Sequence, residues 1–324
     1  MSFDGIWSTF RIEGGAGLAP VQPTSTDERL YLAVLAFSEG DLDRARAWLA
    51  DPAGASSDVL TSQVRAALNA AADVDALLRT SPEGFERFIR GGGNLPLYQS
   101  VSDGLRAAYD QQLRLQGPGR QGLRVLDVGC GDGRALLPAL IPAIHALDLV
   151  EPNPVALTAC REALARQTHA GLRVTNFAGP IQTHLGQTQT TWDVVQATFS
   201  LQTLAPEERL TVLRQLRERS RRLLIAEFDV PAFDHALGPD RAAHLLSVYR
   251  RGLSEYSGED LERVASGFVV PMFLSCFAPG TAQLNFEQPI RVWADQLQMA
   301  GFDIIRLQPL YRYWWAPAYL IDAR

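Results

Sequence analysis

Arg124-Val-Leu-Asp-Val-Gly-Cys-Gly-Asp-Gly-Arg134 is the stretch that decides the fold. The apolar run from Leu123 to Val128 ends in three closely spaced glycines, Gly129, Gly131 and Gly133, and Ala135-Leu-Leu-Pro-Ala-Leu140 follows. This order predicts a strand, a tight turn and a helix. The glycines remove the Cβ atoms that would hold a ligand off the backbone, and they admit positive φ. A helix starting beyond them would offer unpaired N–H groups to polar or anionic atoms. Asp127, near the strand end, can accept hydrogen bonds from an amino group or water. The stretch is expected to hold a ligand.

Working outward, strand and helix patterns alternate. Strands are predicted at Ile144–Val150, Leu172–Phe177, Thr191–Ala197 and Arg222–Phe228, with helices over Val155–Gln167 and Pro206–Arg217. Pro289–Ala300 reads as a helix closed by Gly301, and Phe302–Leu307 and Tyr313–Asp322 as a final pair of strands. The implied class is α/β, a doubly wound and mostly parallel sheet with its ligand at the carboxyl ends of the strands. The glycines run G-x-G-x-G with Arg134 next, so the dinucleotide fingerprint fits poorly, and no Lys-Ser/Thr follows as a P-loop needs.

Composition sets the outer bounds. The apolar share of 47% over 324 residues is that of a soluble protein with a real core. A net charge of −6 argues against phosphate-backbone binding as the main task. Cys130, Cys160 and Cys276 show no close pair in sequence, and His145, His169 and His184 no metal-ligand spacing, so neither a disulfide framework nor a metal site is expected. No signal peptide is evident in the first residues, and no apolar run approaches the roughly 18 residues of a membrane span. These features point to a reduced, cytoplasmic protein.

The flanks carry less pattern. Residues 1–25, rich in Gly, Pro, Ser and Thr, read as an irregular lead-in. A helical pair over Asp27–Ala50 follows, then one helix over Ser57–Arg79 and a helix start at Ser81-Pro82. Gly91-Gly-Gly-Asn94 is a bend before a helix over Ser102–Leu115, and Gln116–Arg120 a linker. The stretch 231–287 interrupts the strand–helix alternation, with a helix expected around Asp240–Tyr256. Three regions result: 1–90 as a helical cap or dimerisation region, 91–324 as the ligand-binding domain, and 231–287 within it as a lid or substrate insertion.

A strand ending in an acid before GxGxG resembles motif I of the class I S-adenosylmethionine (SAM) methyltransferases. The resemblance implies a seven-stranded Rossmann-like sheet with a terminal β-hairpin, the last strand antiparallel, and SAM as cofactor. It places Asp127, Gly129, Cys130, Gly131 and Gly133 at the cofactor. Glu151, ending the next strand about 20 residues on, and Pro152 are the ribose contacts, with Asp148 as the competitor. The Gly-Asp-Ala expected after the third strand is replaced by Ala178-Gly-Pro-Ile181, so adenine is left to backbone and apolar groups around Gly179, Ile181 and Phe177. Gln196 and Ala197 are expected near the methionine part. Tyr98 is a cofactor contact or a residue packed on the first helix.

The Asn/Asp-Pro-Pro-Tyr/Phe signature for exocyclic amines is absent, so O-methylation of a small-molecule acceptor is slightly favoured, with no nucleic-acid or membrane partner. A homodimer through the N-terminal helices is an option. His235 and His244 are the candidate proton acceptors, ahead of Glu227, Asp229 and Asp234, although turn and packing roles suit both histidines. Tyr249, Arg250 and Arg251 either orient the acceptor or form ordinary helix surface. The aromatic run Tyr311–Trp315 reads as strand, with Tyr313 and Trp315 on one face. Two other functions stay open. One is a non-catalytic SAM-binding or interaction protein. The other is an NAD-dependent oxidoreductase, which the glycine spacing disfavours.

Overall fold

The structure is a computed structural model that describes residues 2–50, 58–117, 122–167, 171–280 and 285–324. It divides into two compact units, one of residues 96–232 with 283–324, the other of residues 1–95 with 233–282.

The first unit contains the sheet. Its strands are β1 (Leu123–Val128), β2 (Ile144–Glu151), β3 (Arg173–Ala178), β4 (Val194–Thr198), β5 (Leu223–Phe228), β6 (Ile305–Arg312) and β7 (Pro317–Ala323). They lie in the order β3-β2-β1-β4-β5-β7-β6. β1 to β5 are parallel and β7 is antiparallel to both β5 and β6. This is the expected doubly wound, seven-stranded sheet. β1, β2 and β5 are central and buried along nearly their whole length, as near-continuous apolar runs require; β3, at an edge, is mostly exposed. One face packs on helices Pro206–Arg219 and Ile290–Met299, where Leu213, Leu216, Trp293 and Leu297 meet Val195, Leu223 and Ile225. At the base, Arg222 donates to both carboxylate oxygens of Asp322 at 2.8 Å and to the carbonyl of Ala108 at 2.6 Å, tying β5 and β7 to helix Asn94–Leu115. β1 pairs with β2 on one side and β4 on the other, so the strand order reverses there, the place where sheets of this kind bind ligands.

Several boundaries differ from expectation. The helix after the glycine turn is a single turn, Leu136–Ala139, with Pro138 inside it and Pro142 soon after its end. The closing hairpin is shifted: β6 runs to Arg312, and Tyr313 to Ala316 form its turn. Of the aromatic run, Tyr311 and Arg312 therefore end β6 while Tyr313 to Trp315 lie in the turn, with Tyr313 and Trp314 both buried.

The second unit is helical. Residues 1–25 are not irregular: Phe3–Glu13 is a helix, capped by the Ser2 hydroxyl and closed at Gly14, with Ile6 buried and Phe3 stacked on Tyr31 at 4.6 Å. Instead of one helix over Ser57–Arg79 there are two, Val59–Ala70 and Val74–Leu78, because the Asp73 side chain caps the second; Ser57 itself lies outside the described residues. The bend at 91–93 is as read, but the helix beyond it begins at Asn94. Inserted residues 239–275 are helical, including a π-helical stretch at Ala265–Val269. There a Cβ on Gly84 would come within 2.7 Å of the Gly267 backbone. Arg250 binds Asp27 at 2.5 Å and Asp58 at 3.0 Å, so it joins the inserted helix to the N-terminal ones and is not free to orient a substrate, and Tyr249 is buried.

Candidate active site

The glycine turn closes the carboxyl end of β1. Gly129 donates to the Val150 carbonyl at 2.8 Å and Gly133 to the Cys130 carbonyl at 2.9 Å. Gly129 has φ 71°, and a Cβ there would lie 2.4 Å from the Cβ of Ser200. That close approach lets the Ser200 hydroxyl donate to the Val128 carbonyl at 2.6 Å, joining the turn to the segment after β4. Gly133, at φ 82°, similarly accommodates Cys160, whose Sγ would be 2.8 Å from an added Cβ.

Two acids flank the turn. Glu151 ends β2, and its Oε2 accepts from Gly131 N–H at 2.9 Å while its Oε1 accepts from Asn153 N–H at 2.9 Å. Each oxygen keeps a lone pair for a further donor. Asp148 takes no part: its oxygens accept from Arg124, Trp192 and Thr175, a buried structural network. Asp127 is 2% exposed. Burial pushes its carboxyl up to about 7; the nearby charge of Glu151 adds to the rise and Gln196 opposes it. The Tyr109 hydroxyl donates to Gln196 Oε1 beside it.

A cavity of about 260 Å³ opens between the turn and the segments after β2, β3 and β4. Gly129, Glu151, Pro152 and Ile181 line it, together with Phe199, Ser200 and Leu204. Of the other expected contacts, Gln196 and Ala197 are buried within β4 and Cys130 within the turn. Gly179 donates to the Glu151 carbonyl at 3.1 Å. Tyr98 stands edge-on to Phe199 at 6.1 Å, with the Arg134 guanidinium 5.9 Å from its ring. His235 and His244 belong to the other unit. His235 tilts against Trp7 and His244 against Phe233, and burial holds His244 below the usual imidazole range. His169 lies outside the described residues.

At the carboxyl end of β5, Glu227, which sequence reasoning ranked behind the histidines, is joined by Glu287 and Arg209, which it missed. Glu227 is 1% exposed, and its Oε1 has no hydrogen-bond partner. Burial, then the charge of Glu287, pushes it well above the carboxylate range, only partly offset by Arg209 and the N–H groups of Gln202 and Phe228. Glu287 rises to about 7 through burial, opposed by Trp315 Nε1, which donates to it at 2.9 Å. Arg209, 4.2 Å from the Trp293 ring, bonds the Phe286 carbonyl and Gln288. Among the described residues no cluster suits a metal ion, and no helix is long and apolar enough to cross a membrane.

Residues 125–222 match the family model described as a methyltransferase domain. The likeness is to a methyltransferase domain and covers that stretch of the chain. No curated protein matches the chain in sequence. Among solved structures it is similar to magnesium protoporphyrin IX methyltransferase of Synechocystis PCC 6803 with bound S-adenosylhomocysteine (SAH), at TM-score 0.47 and 16% identity over 75% of this chain and 94% of that one. A plantazolicin methyltransferase aligns at TM-score 0.47 and 11% identity, over 82% and 96% of the two chains. The 1,6-didemethyltoxoflavin-N1-methyltransferase of Burkholderia thailandensis aligns at 0.42 and 17%, over 69% and 77%.

SAM fits the residues present. Glu151 and the apolar Ile181 and Leu204 line the cavity, and the Asp127 carboxyl is buried at the end of β1 just before the turn. The cavity is near the lower end of the ligand-pocket range, roughly 300 Å³.

Proposed function

We propose that the chain transfers a methyl group from SAM to the hydroxyl oxygen of a small molecule. The observation that carries the reading is one cavity bounded by the glycine turn and Glu151, with the buried carboxyl of Asp127 behind the turn. SAM supplies a methyl group activated on a sulfonium. Asp127 holds the ammonium of the methionine part, Glu151 the ribose hydroxyls, and Ile181 packs on the adenine. The chain's remaining work is to align the acceptor and take its proton, since the displacement itself needs no other group.

For that proton we favour the Glu227–Glu287 pair. It sits at the carboxyl end of β5 in the same unit as the turn, and Glu287 is about half ionised at neutral pH. A second reading uses His244, whose lowered pKa leaves it neutral and able to accept a proton at pH 7. Cytoplasmic placement and a homodimer through the N-terminal helices belong to the same proposal, and light scattering on the eluting protein tests the dimer.

The deciding experiment is calorimetric titration with SAM and with SAH, repeated on Glu151→Ala. Micromolar binding, roughly −8 kcal/mol, should weaken by roughly 1.5–3 kcal/mol in the variant. No binding to the wild type would overturn the reading.

A further inference from the structure

Phe199, the first residue after β4, is the non-glycine residue with positive φ, 50°, among those described. Side-chain-bearing residues adopt that conformation only where their surroundings impose it, and such outliers gather at functional sites. Here the surroundings are visible. Phe199 N–H donates to the Ala226 carbonyl at 2.9 Å, which docks the strained residue on β5. The ring lies parallel to Phe228, at 4.4 Å and 9°, with Tyr98 perpendicular to it at 6.1 Å. Phe228 is stacked in turn on Tyr313 at 5.5 Å. An ordinary core aromatic would be fully enclosed by such neighbours, whereas Phe199 stays half-buried and lines the cavity beside Gly129 and Glu151.

We propose that Phe199 is a charge-selective wall of the cofactor site, whose ring favours the sulfonium of SAM over the uncharged thioether of SAH. The inference rests on the cofactor reading above. Sheet order supports the placement. Glu151 ends β2, Asp127 sits in β1, and Phe199 leaves β4, on the far side of β1 from the ribose acid. The sulfur joins the ribose to the methionine chain, so a cofactor held by Glu151 and Asp127 would bring it into the cavity that Phe199 lines. Aromatic faces attract cations through their quadrupole, and do so more strongly where water is excluded. The same ring offers a neutral sulfur only packing. Such a wall would lower product retention without any loss of contacts to the ribose or the ammonium.

The test is calorimetric affinity for SAM and SAH in the wild type, Phe199→Leu and Phe199→Tyr, with melting temperatures as folding controls. Phe199→Met is a second non-aromatic variant, so misfolding of one leaves the comparison intact. The preference for SAM over SAH should fall about two- to fivefold in the non-aromatic variants and persist in Phe199→Tyr. Equal losses for both ligands, or an unchanged preference, would reduce Phe199 to a packing residue and overturn the inference alone. A wild type that binds neither ligand overturns the cofactor reading as well, so the two failures are distinguishable.

Discussion

Replacing Asp127 by Asn should stabilise the unliganded protein while weakening its hold on SAM. Asp127 is buried in the fold, and its pKa stands at about 7 instead of 3.8. The groups facing it are Glu151 from β2, Gln196 from β4, Tyr109 from helix Asn94–Leu115 and Cys130 from the turn, and none is a cation. Because the folded pKa is raised, this carboxyl favours folding most below pH 4. Stability is lost as pH rises between about 4 and 7, then levels off. At one pK unit per 1.36 kcal/mol, the penalty above pH 7 is roughly 4 kcal/mol. Asn keeps the shape and cannot ionise, so Asp127→Asn should recover a large part of that at pH 8 and almost nothing at pH 4. SAM binding should weaken by roughly 1.5–3 kcal/mol, about 10- to 100-fold, through loss of a charged hydrogen-bond partner. Wild-type affinity should also rise with pH through about 7 as the carboxylate forms. Urea unfolding of both proteins from pH 4 to 8, with calorimetry at pH 6 and 8, measures all of this. A variant less stable at pH 8, or one that binds SAM as well as the wild type, would refute the reasoning.

Two further outcomes follow from the same geometry. If Glu287 takes the acceptor proton, methyl transfer, followed as SAH release, should rise as pH increases through about 7, and Glu287→Gln should abolish that limb with roughly a 10²–10⁴-fold loss; a comparable loss in His244→Ala instead would transfer the role to the histidine. Gly129→Ala should cost at least about 1–2 kcal/mol in urea unfolding and impair SAM binding, since its φ of 71° and the 2.4 Å approach to Ser200 both exclude a methyl; neutral behaviour would mean the turn relaxes freely.

Legibility in the sequence tracked how local each determinant is. β1, β2 and β5 could be read because strands buried on both faces are apolar throughout, and Glu151 because a parallel strand-turn-strand unit fixes where the second strand ends. The helix Phe3–Glu13 escaped notice because the Gly- and Pro-rich residues after it dominate the composition, although Ser2 and the Phe3/Ile6/Phe10 spacing encode it. Tyr311–Trp315 has strand-forming residues, yet Tyr313 and Trp314 are drawn into the turn by burial beside Phe228, a tertiary effect. Glu287 and Glu227 are far apart in sequence and become neighbours only when helix Ile290–Met299 docks on the sheet. Nothing local marks the backbone of Phe199.

Counter-charge divides the acids of this chain into two kinds. Asp148 is buried and Asp322 half-buried, but Arg124 and Arg222 supply their counter-charges, so the folded chain satisfies them by itself. Asp127 and Glu227 are as deeply buried, and their raised pKa values show that the fold leaves their charged forms under-compensated. Replacing either with an apolar residue would remove that burden, which makes a purely structural role a poor account of them. A cationic ligand relieves Asp127, and a proton relieves Glu227. On the proposed reading the cation is the cofactor's, while Glu227, held in its neutral form by burial, leaves Glu287 to take the acceptor's proton.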